Sequence, residues 1–186
     1  MTFWYNAIAP FTPQYHAHGH SWDDYAAWYG LHHLKEMVSL DALLNPSVVE
    51  PDYKSSEDWT YIVCDGVWLT GFYSSIDYVL QRTKSIHYQL IAVVKEPTEA
   101  CHQVPLDGFE FIGYDLLDDA YSISTLTNCT GMASTLMPDD FNERGLLRDY
   151  NRAILTQKEF IELNPNEPHS RCYVMAVWRQ KIEISS

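Results

Sequence analysis

His87-Tyr88-Gln89-Leu90-Ile91-Ala92-Val93-Val94-Lys95 decides the fold. The consecutive apolar residues Leu90 to Val94 leave an extended segment no face for water, so the stretch reads as a strand buried on both faces in the middle of a sheet. Upstream, Trp59–Cys64 is β-branched and aromatic and closes on Asp65-Gly66, a hairpin turn into Val67–Thr70. Ser75 is placed to cap a short helix running to Arg82. Downstream, Pro105-Leu106-Asp107-Gly108 is a turn into a strand at Phe109–Leu117, with a further short strand at Tyr121–Leu126. Strict alternation puts Phe109, Phe111, Gly113 and Asp115 on one face of that strand and Glu110, Ile112, Tyr114 and Leu116 on the other. Cys172–Arg179 reads as the last strand, with Cys172, Val174, Ala176 and Trp178 on one side.

Toward the N-terminus the pattern predicts a short strand near Thr2–Ile8, then an irregular aromatic segment interrupted by Pro10 and Pro13. Ser21-x-x-Asp24 resembles a capping box, and Tyr25, Tyr29, Leu34, Met37 and Val38 fit a helical stripe in which Gly30 is a kink or break. Asn45-Pro46 ends that unit. A longer helix is predicted over Asn142–Leu163, where Leu146, Leu147, Tyr150, Ile154, Phe160 and Ile161 recur at helical spacing and Asn164-Pro165 stops the helix. The expected fold is α+β: a mainly antiparallel sheet of about five strands packed by two principal helices. The expected organisation is a single globular domain over 1–186. Residues 1–57 form its aromatic and His-rich N-terminal segment with a helix, and 58–186 its sheet with the long helix 143–163.

The chain has 186 residues, 46% hydrophobic and 20% charged, which is the composition of a folded globule rather than a disordered acidic tail. At this length roughly 70% of the surface of the unfolded chain can be buried, so neither a disulfide nor a metal staple is required. The longest apolar run, Tyr173 to Trp178, falls far short of the ~20 residues of a membrane-spanning helix. Met1-Thr2-Phe3-Trp4-Tyr5 has no basic region and no small-residue cleavage site, so no signal peptide is expected and cytoplasm is the default. Cys64, Cys101, Cys129 and Cys172 form no C-x-x-C pair and read as free thiols.

The formal net charge of −13 comes mostly from one block. Between Lys95 and Arg144 the chain carries ten carboxylates, Glu96, Glu99, Asp107, Glu110, Asp115, Asp118, Asp119, Asp139, Asp140 and Glu143, and no Lys or Arg. Such a field attracts basic partners and repels nucleic acid and anionic membranes. Phe109, Phe111, Tyr114, Tyr121 and Phe141 are interleaved with it, and carboxylates beside aromatic rings suit an interface that steers a basic protein and then anchors it. The expected contact residues are Asp107, Glu110, Tyr114, Asp115, Asp118, Asp119, Asp139 and Asp140.

Other constellations carry less. His16-x-His18-x-His20 places three imidazoles on one side of an extended segment, with Asp23, Asp24, His32 or His33 available to complete a zinc-type shell. The order departs from the H-x-H-x-D-H pattern of metallo-hydrolases, and a polar loop is the plainer reading. Cys129 and His169 would make a thiolate pair if the fold joined them, although a buried structural cysteine is commoner. Arg144, Arg148 and Arg152, at i, i+4 and i+8, form a basic row on the predicted helix and require acidic groups opposite, for which the chain's own block suffices. No glycine-rich phosphate loop and no basic patch is present, so neither a nucleotide cofactor nor nucleic-acid binding is expected.

An acidic, aromatic-rich α+β domain without a catalytic signature resembles, in the character of the whole chain, the immunity proteins of bacterial toxin systems. Gly113-Tyr114-Asp115-Leu116, Asn128-Cys129-Thr130-Gly131 and Pro168-His169-Ser170-Arg171-Cys172 are its most distinctive stretches, and they carry over no functional residue. The resemblance implies a cytoplasmic inhibitor that neutralises a basic partner, a toxin domain, with no cofactor. The alternatives are a metal-dependent enzyme built on His16, His18 and His20, and an accessory protein that mimics nucleic acid.

Overall fold

A computed structural model describes residues 1–11, 30–127, 136–163, 165–166 and 169–181. Among them six strands form one open antiparallel sheet: β1 (Trp4–Ile8), β2 (Ile62–Asp65), β3 (Trp68–Tyr73), β4 (Gln89–Lys95), β5 (Phe109–Asp118) and β6 (Cys172–Gln180), in the order β2-β3-β1-β4-β6-β5. Two α-helices, α1 (Ile76–Arg82) and α2 (Tyr150–Leu163), complete an α+β architecture with one strand more than expected.

β4 lies inside the sheet, as its apolar run demands, and Leu90–Val94 are all buried. On one face Leu90, Ala92 and Val94 pack with Val174, Ala176 and Trp178 of β6, Tyr78 and Val79 of α1, and Ala153 and Phe160 of α2. On the other, Ile91 and Val93 pack with Met175, Val177, Val38, Leu40 and Leu146. Both faces being covered explains why the middle strands cannot alternate apolar with polar. The N-terminal strand is part of this layer: β1 pairs with β4 from Trp4↔Val93 to Ile8↔Gln89. Its neighbour Phe3 meets Trp178 edge-on at 5.1 Å.

The Ser75 cap forms as its residue type predicts, with Oγ accepting from the Tyr78 N–H at 3.3 Å. Buried Asp58 then ties α1 to the segment before β2, accepting from Tyr78 Oη at 2.8 Å, Arg82 at 2.6 Å and the Asp52 N–H at 2.7 Å.

Three expectations are corrected. Residues 30–45 are irregular rather than helical. The backbone donors of Lys35 and Glu36 go to the Glu143 carbonyl, and that of Val38 to Arg144, instead of to carbonyls one turn earlier. The rest of that predicted helix, Ser21 to Tyr29, lies outside the described residues. The long helix begins at Tyr150 and not at Asn142. Gly145 takes φ +79° inside a tight turn, Leu147 exchanges both backbone hydrogen bonds with Tyr114, and Asp149 Oδ1 caps the helix by accepting from the Arg152 N–H at 2.9 Å. Tyr121–Leu126 makes one bridge, Leu117↔Ser124, instead of a strand.

The register of β5 carries a further correction. The pairing runs Phe111↔Trp178 and then Gly113↔Val177, so Ile112 is an extra residue in a bulge. Each residue after it changes side. Tyr114 and Leu116 join Phe109 and Phe111 on the helix-covered face, while Gly113, Asp115 and Leu117 turn to the other.

Candidate functional site

The bulge and the turn at Gly145 decide what the acidic block presents. Tyr114, Asp115 and Asp118 are each 1% exposed, so these three expected contact residues are removed from the surface by the fold. Asp115 is an internal anchor. It accepts from the Leu40 N–H at 2.7 Å, the Leu116 N–H at 2.8 Å and Ser124 Oγ at 2.5 Å, and so holds the 39–45 segment against β5. Asp41 belongs to the same network, accepting from Thr127 Oγ1 at 2.8 Å and the Leu43 N–H at 2.8 Å. Burial pushes both carboxyls above the usual carboxylate range despite these hydrogen bonds. Burial likewise raises the Tyr114 phenol to about 12.

Glu110, Glu143 and Asp140 are neutralised by the chain's own cations. Glu110 faces Arg144 and Arg179, Glu143 faces Lys35 and Arg144, and Asp140 faces Arg152 at 3.0 Å. The expected arginine row is not a helical row, because Arg144 and Arg148 precede α2. Arg144 pairs with Glu110 and Glu143 of the block and with Glu36 outside it, Arg152 with Asp140 of the block and Glu159 outside it, and Arg148 Nε donates to the Phe141 carbonyl at 2.7 Å. No Lys, Arg or His among the described residues lies in ion-pair reach of Glu96, Glu99, Asp107, Asp119 or Asp139. Asp107 lies in the turn before β5, Asp139 in a 3-10 turn, Pro138–Asp140, and Glu99 opens another, Glu99–Gln103.

Glu96 and Asp119 lie at the same end of the sheet, on opposite sides of β6. β4 and β5 both pair antiparallel with β6, so their C-terminal ends share one end of the sheet. The N–H groups of Glu96 and Asp119 donate to the Val174 and Arg171 carbonyls at the start of β6, at 2.8 and 2.9 Å. Between those ends Asp118 organises the turn that leaves β5. Its Oδ1 accepts from the N–H groups of Ser122 and Ile123, and its Oδ2 meets His169 Nδ1 at 2.9 Å.

That turn presents Tyr121, and around it lies a caged cation. Lys95 Nζ stands 3.6 Å from the Tyr173 ring centroid, 5.4 Å from that of Tyr121 and 2.5 Å from Asp65 Oδ2. The two tyrosine rings are nearly parallel, 23° apart with centroids at 5.5 Å, and Trp4 backs Tyr121 at 6.2 Å. The Tyr121 hydroxyl donates to the same Asp65 oxygen. Burial and that carboxylate push the Tyr121 phenol up, while the hydrogen bonds of Lys95 and Tyr121 hold Asp65 below the usual range. Aromatic faces with one carboxylate are the groups that recognise an ammonium. The only non-glycine residues of positive φ among the described residues border this cage: Glu96 at +46° and Tyr121 at +57°. Each costs of order 1 kcal/mol or more as a left-handed residue with a Cβ.

Asp65 reaches the cage because the β2–β3 hairpin is bent. β3 joins β1 through the single register pair Tyr5↔Tyr73, and Gly71 at φ +71° turns the strand away. The tip leaves Val67 90%, Trp68 57% and Leu69 43% exposed in succession. A solvated tryptophan beside two exposed aliphatic side chains has the composition of an interface anchor. The candidate site is therefore the hairpin tip with Asp65, the caged Lys95, and Glu96 and Asp119 beside it.

Of the eight expected contact residues Asp119 alone belongs to this site. Tyr121 is one of the aromatics interleaved with the acidic block, whereas Lys95, Tyr173 and Trp68 carry no such expectation. Their proximity depends on the bend at Gly71 and on strand order, and the one sequence signal was Asp65-Gly66 followed by Val67-Trp68-Leu69, a turn whose flank is apolar. His16, His18, His20 and Cys129 lie outside the described residues. Among the described residues no three His, Cys, Asp or Glu side chains group as metal ligands, and no helix is long and apolar enough to cross a membrane. Compared with protein-family models, curated proteins and solved structures, the chain matches none, so no function is carried to it from a relative.

Proposed function

We propose that this protein binds a basic partner protein and inhibits it, in the manner of an immunity protein that neutralises a toxin domain in the cytoplasm. One observation carries the reading: the exposed Val67-Trp68-Leu69 tip lies at the sheet end where Glu96 and Asp119 have no cation among the described residues. The net charge of −13 supplies long-range steering, raising association toward ~10⁸ M⁻¹s⁻¹ at low salt. The apolar tip supplies the short-range contact that sets dissociation, since buried aromatic anchors account for most of the affinity at interfaces. The internal ion pairs of Glu110, Glu143 and Asp140 reduce the attracting charge on their part of the block.

The test is capture from lysate of the source organism on immobilised wild-type protein and on the Val67→Ser, Trp68→Ser double variant, each eluted across a salt gradient. The expected result is one basic protein held near stoichiometry by the wild type and weakened by ~100-fold or more in the variant, as for loss of a hot-spot aromatic. Equal retention by both proteins, or background alone on both, would overturn the reading.

A further inference from the structure

We infer that Tyr121, Tyr173 and Asp65 are a binding cage for an alkylammonium group, and that a lysine of the partner enters it by displacing Lys95. The inference rests on the reading above for its partner class, a basic protein, and adds the contact by which such a partner is recognised.

The free protein already shows that the site accepts an ammonium, with a carboxylate oxygen at 2.5 Å and a ring centroid at 3.6 Å. The occupant comes from the last residue of β4, at the rim of the sheet, and not from the interior. The Lys95 side chain keeps 18% of its surface in solvent and Asp65 keeps 40%, so the cage opens outward.

The backbone on either side argues against a contact built for stability alone. Glu96, next to the occupant, and Tyr121, one wall, both hold left-handed conformations that an L side chain disfavours. A purely structural latch would be stronger with glycine or asparagine at these positions. With Glu96 and Tyr121 instead, release of Lys95 frees the adjoining backbone to relax. That relaxation offsets part of the contact a departing Lys95 gives up, so an incoming lysine replaces it at a smaller net cost.

The experiment titrates hexalysine into the wild-type protein at ionic strength matched with sodium chloride, following the ring resonances of Tyr121 and Tyr173 and the ε-methylene of Lys95 by NMR. The expected result is saturable movement of both rings with loss of the ring-current shift at Lys95, and affinity about tenfold lower in Tyr173→Leu, the size of one desolvated cation–π contact. Rings and Lys95 that stay in place at saturating hexalysine would overturn the inference. A second variant guards against misfolding: Lys95→Ala, checked by circular dichroism, is expected to bind n-butylammonium saturably and not n-butanol. An equal response to both, or none to either, also overturns it. A captured partner whose retention is unchanged by Tyr173→Leu rules out the cage and leaves the partner reading standing. Hexalysine displacing Lys95 in a protein that captures nothing supports the cage and rejects the partner reading.

Discussion

The two ends of the sheet are built on opposite plans. At one, β5 and β6 share nine register pairs from Phe109↔Gln180 to Asp118↔Cys172, and the outer edge of β5 is capped by Leu147 and Ser124. At the other, β2 pairs with β3 over a short register broken between Ile62 and Cys64, β3 touches β1 at one pair, and the tip beyond Gly71 is exposed. Half of the acidic block is used by the fold itself, Asp115 and Asp118 as hydrogen-bond acceptors and Glu110, Asp140 and Glu143 as ion-pair partners. The features left for a partner gather at the second end and at the strand termini it reaches. A run of like charge in a sequence thus locates negative charge but not availability, because its counter-ions, here Lys35, Arg144, Arg152 and Arg179, come from elsewhere in the chain.

The largest effect that would test this contrast is Gly113→Ala. Gly113 has φ +139°, and a Cβ there would lie 2.8 Å from both Asn142 Nδ2 and Leu146 Cβ and 3.0 Å from the Leu147 carbonyl oxygen. The bulge that turns Asp115 inward depends on that close approach. Overpacking and backbone strain together should cost about 3 kcal/mol in urea denaturation. A cost below ~1 kcal/mol would mean that the β5 edge is as adaptable as the hairpin.

How much of this was legible follows from what each element needs. β4, β6, the Asp65-Gly66 turn and the Ser75 cap are specified by residues within a few positions of one another, and the sequence pattern located all of them. The Asn142–Asp149 turn was read as helix because Leu146 and Leu147 fit helical spacing. Their true partners, Val177 and Tyr114, are remote, and Gly145 was the local signal to the contrary. The face assignment of β5 failed at one bulged residue, since alternation counts positions and a bulge adds one. The site was less legible than the fold because Asp65, Lys95, Tyr121 and Tyr173 come from four separate segments and meet only through topology.

The carboxylates of the two ends should answer pH in opposite senses. Asp41 and Asp115, beside β5, are raised by burial. Below the ordinary carboxylate value of about 3.9 both folded and unfolded chains are protonated there, and stability is at its fullest. As pH rises from ~4 through the raised folded values, the unfolded chain ionises first and stability falls. At the hairpin end, hydrogen bonds from Lys95 and Tyr121 lower Asp65. Burial works to raise Asp58, but the Asp52 N–H, Tyr78 and Arg82 overcome it. Their contribution is present above ~3.9 and is lost as pH falls through the depressed values. Asp115→Asn should therefore flatten the decline of the urea midpoint above pH 4 while lowering stability by roughly 1–3 kcal/mol in acid, where its amide nitrogen sets a donor against either the Leu40 or the Leu116 N–H. The unaltered hairpin should still loosen below pH 4, read as faster amide exchange in β2 and β3. A midpoint in Asp115→Asn that falls with pH as in the wild type would sink the assignment of the decline to this network.

Trp68→Ser is the smallest expected effect on stability and the sharpest test of the division between the ends. A side chain 57% in water on a tip that turns away at Gly71 gives the folded state little, so its loss should change stability by no more than ~0.5 kcal/mol. Burying the same ring against a partner removes it from water, which for a large aromatic is worth ~2 kcal/mol or more at an interface. A tryptophan near-neutral for folding and large for capture is the signature of a residue kept for a contact outside its own chain. A loss of 2 kcal/mol in folding instead would mean the tip packs on the domain, and the apolar tip would then belong to the core rather than to a partner.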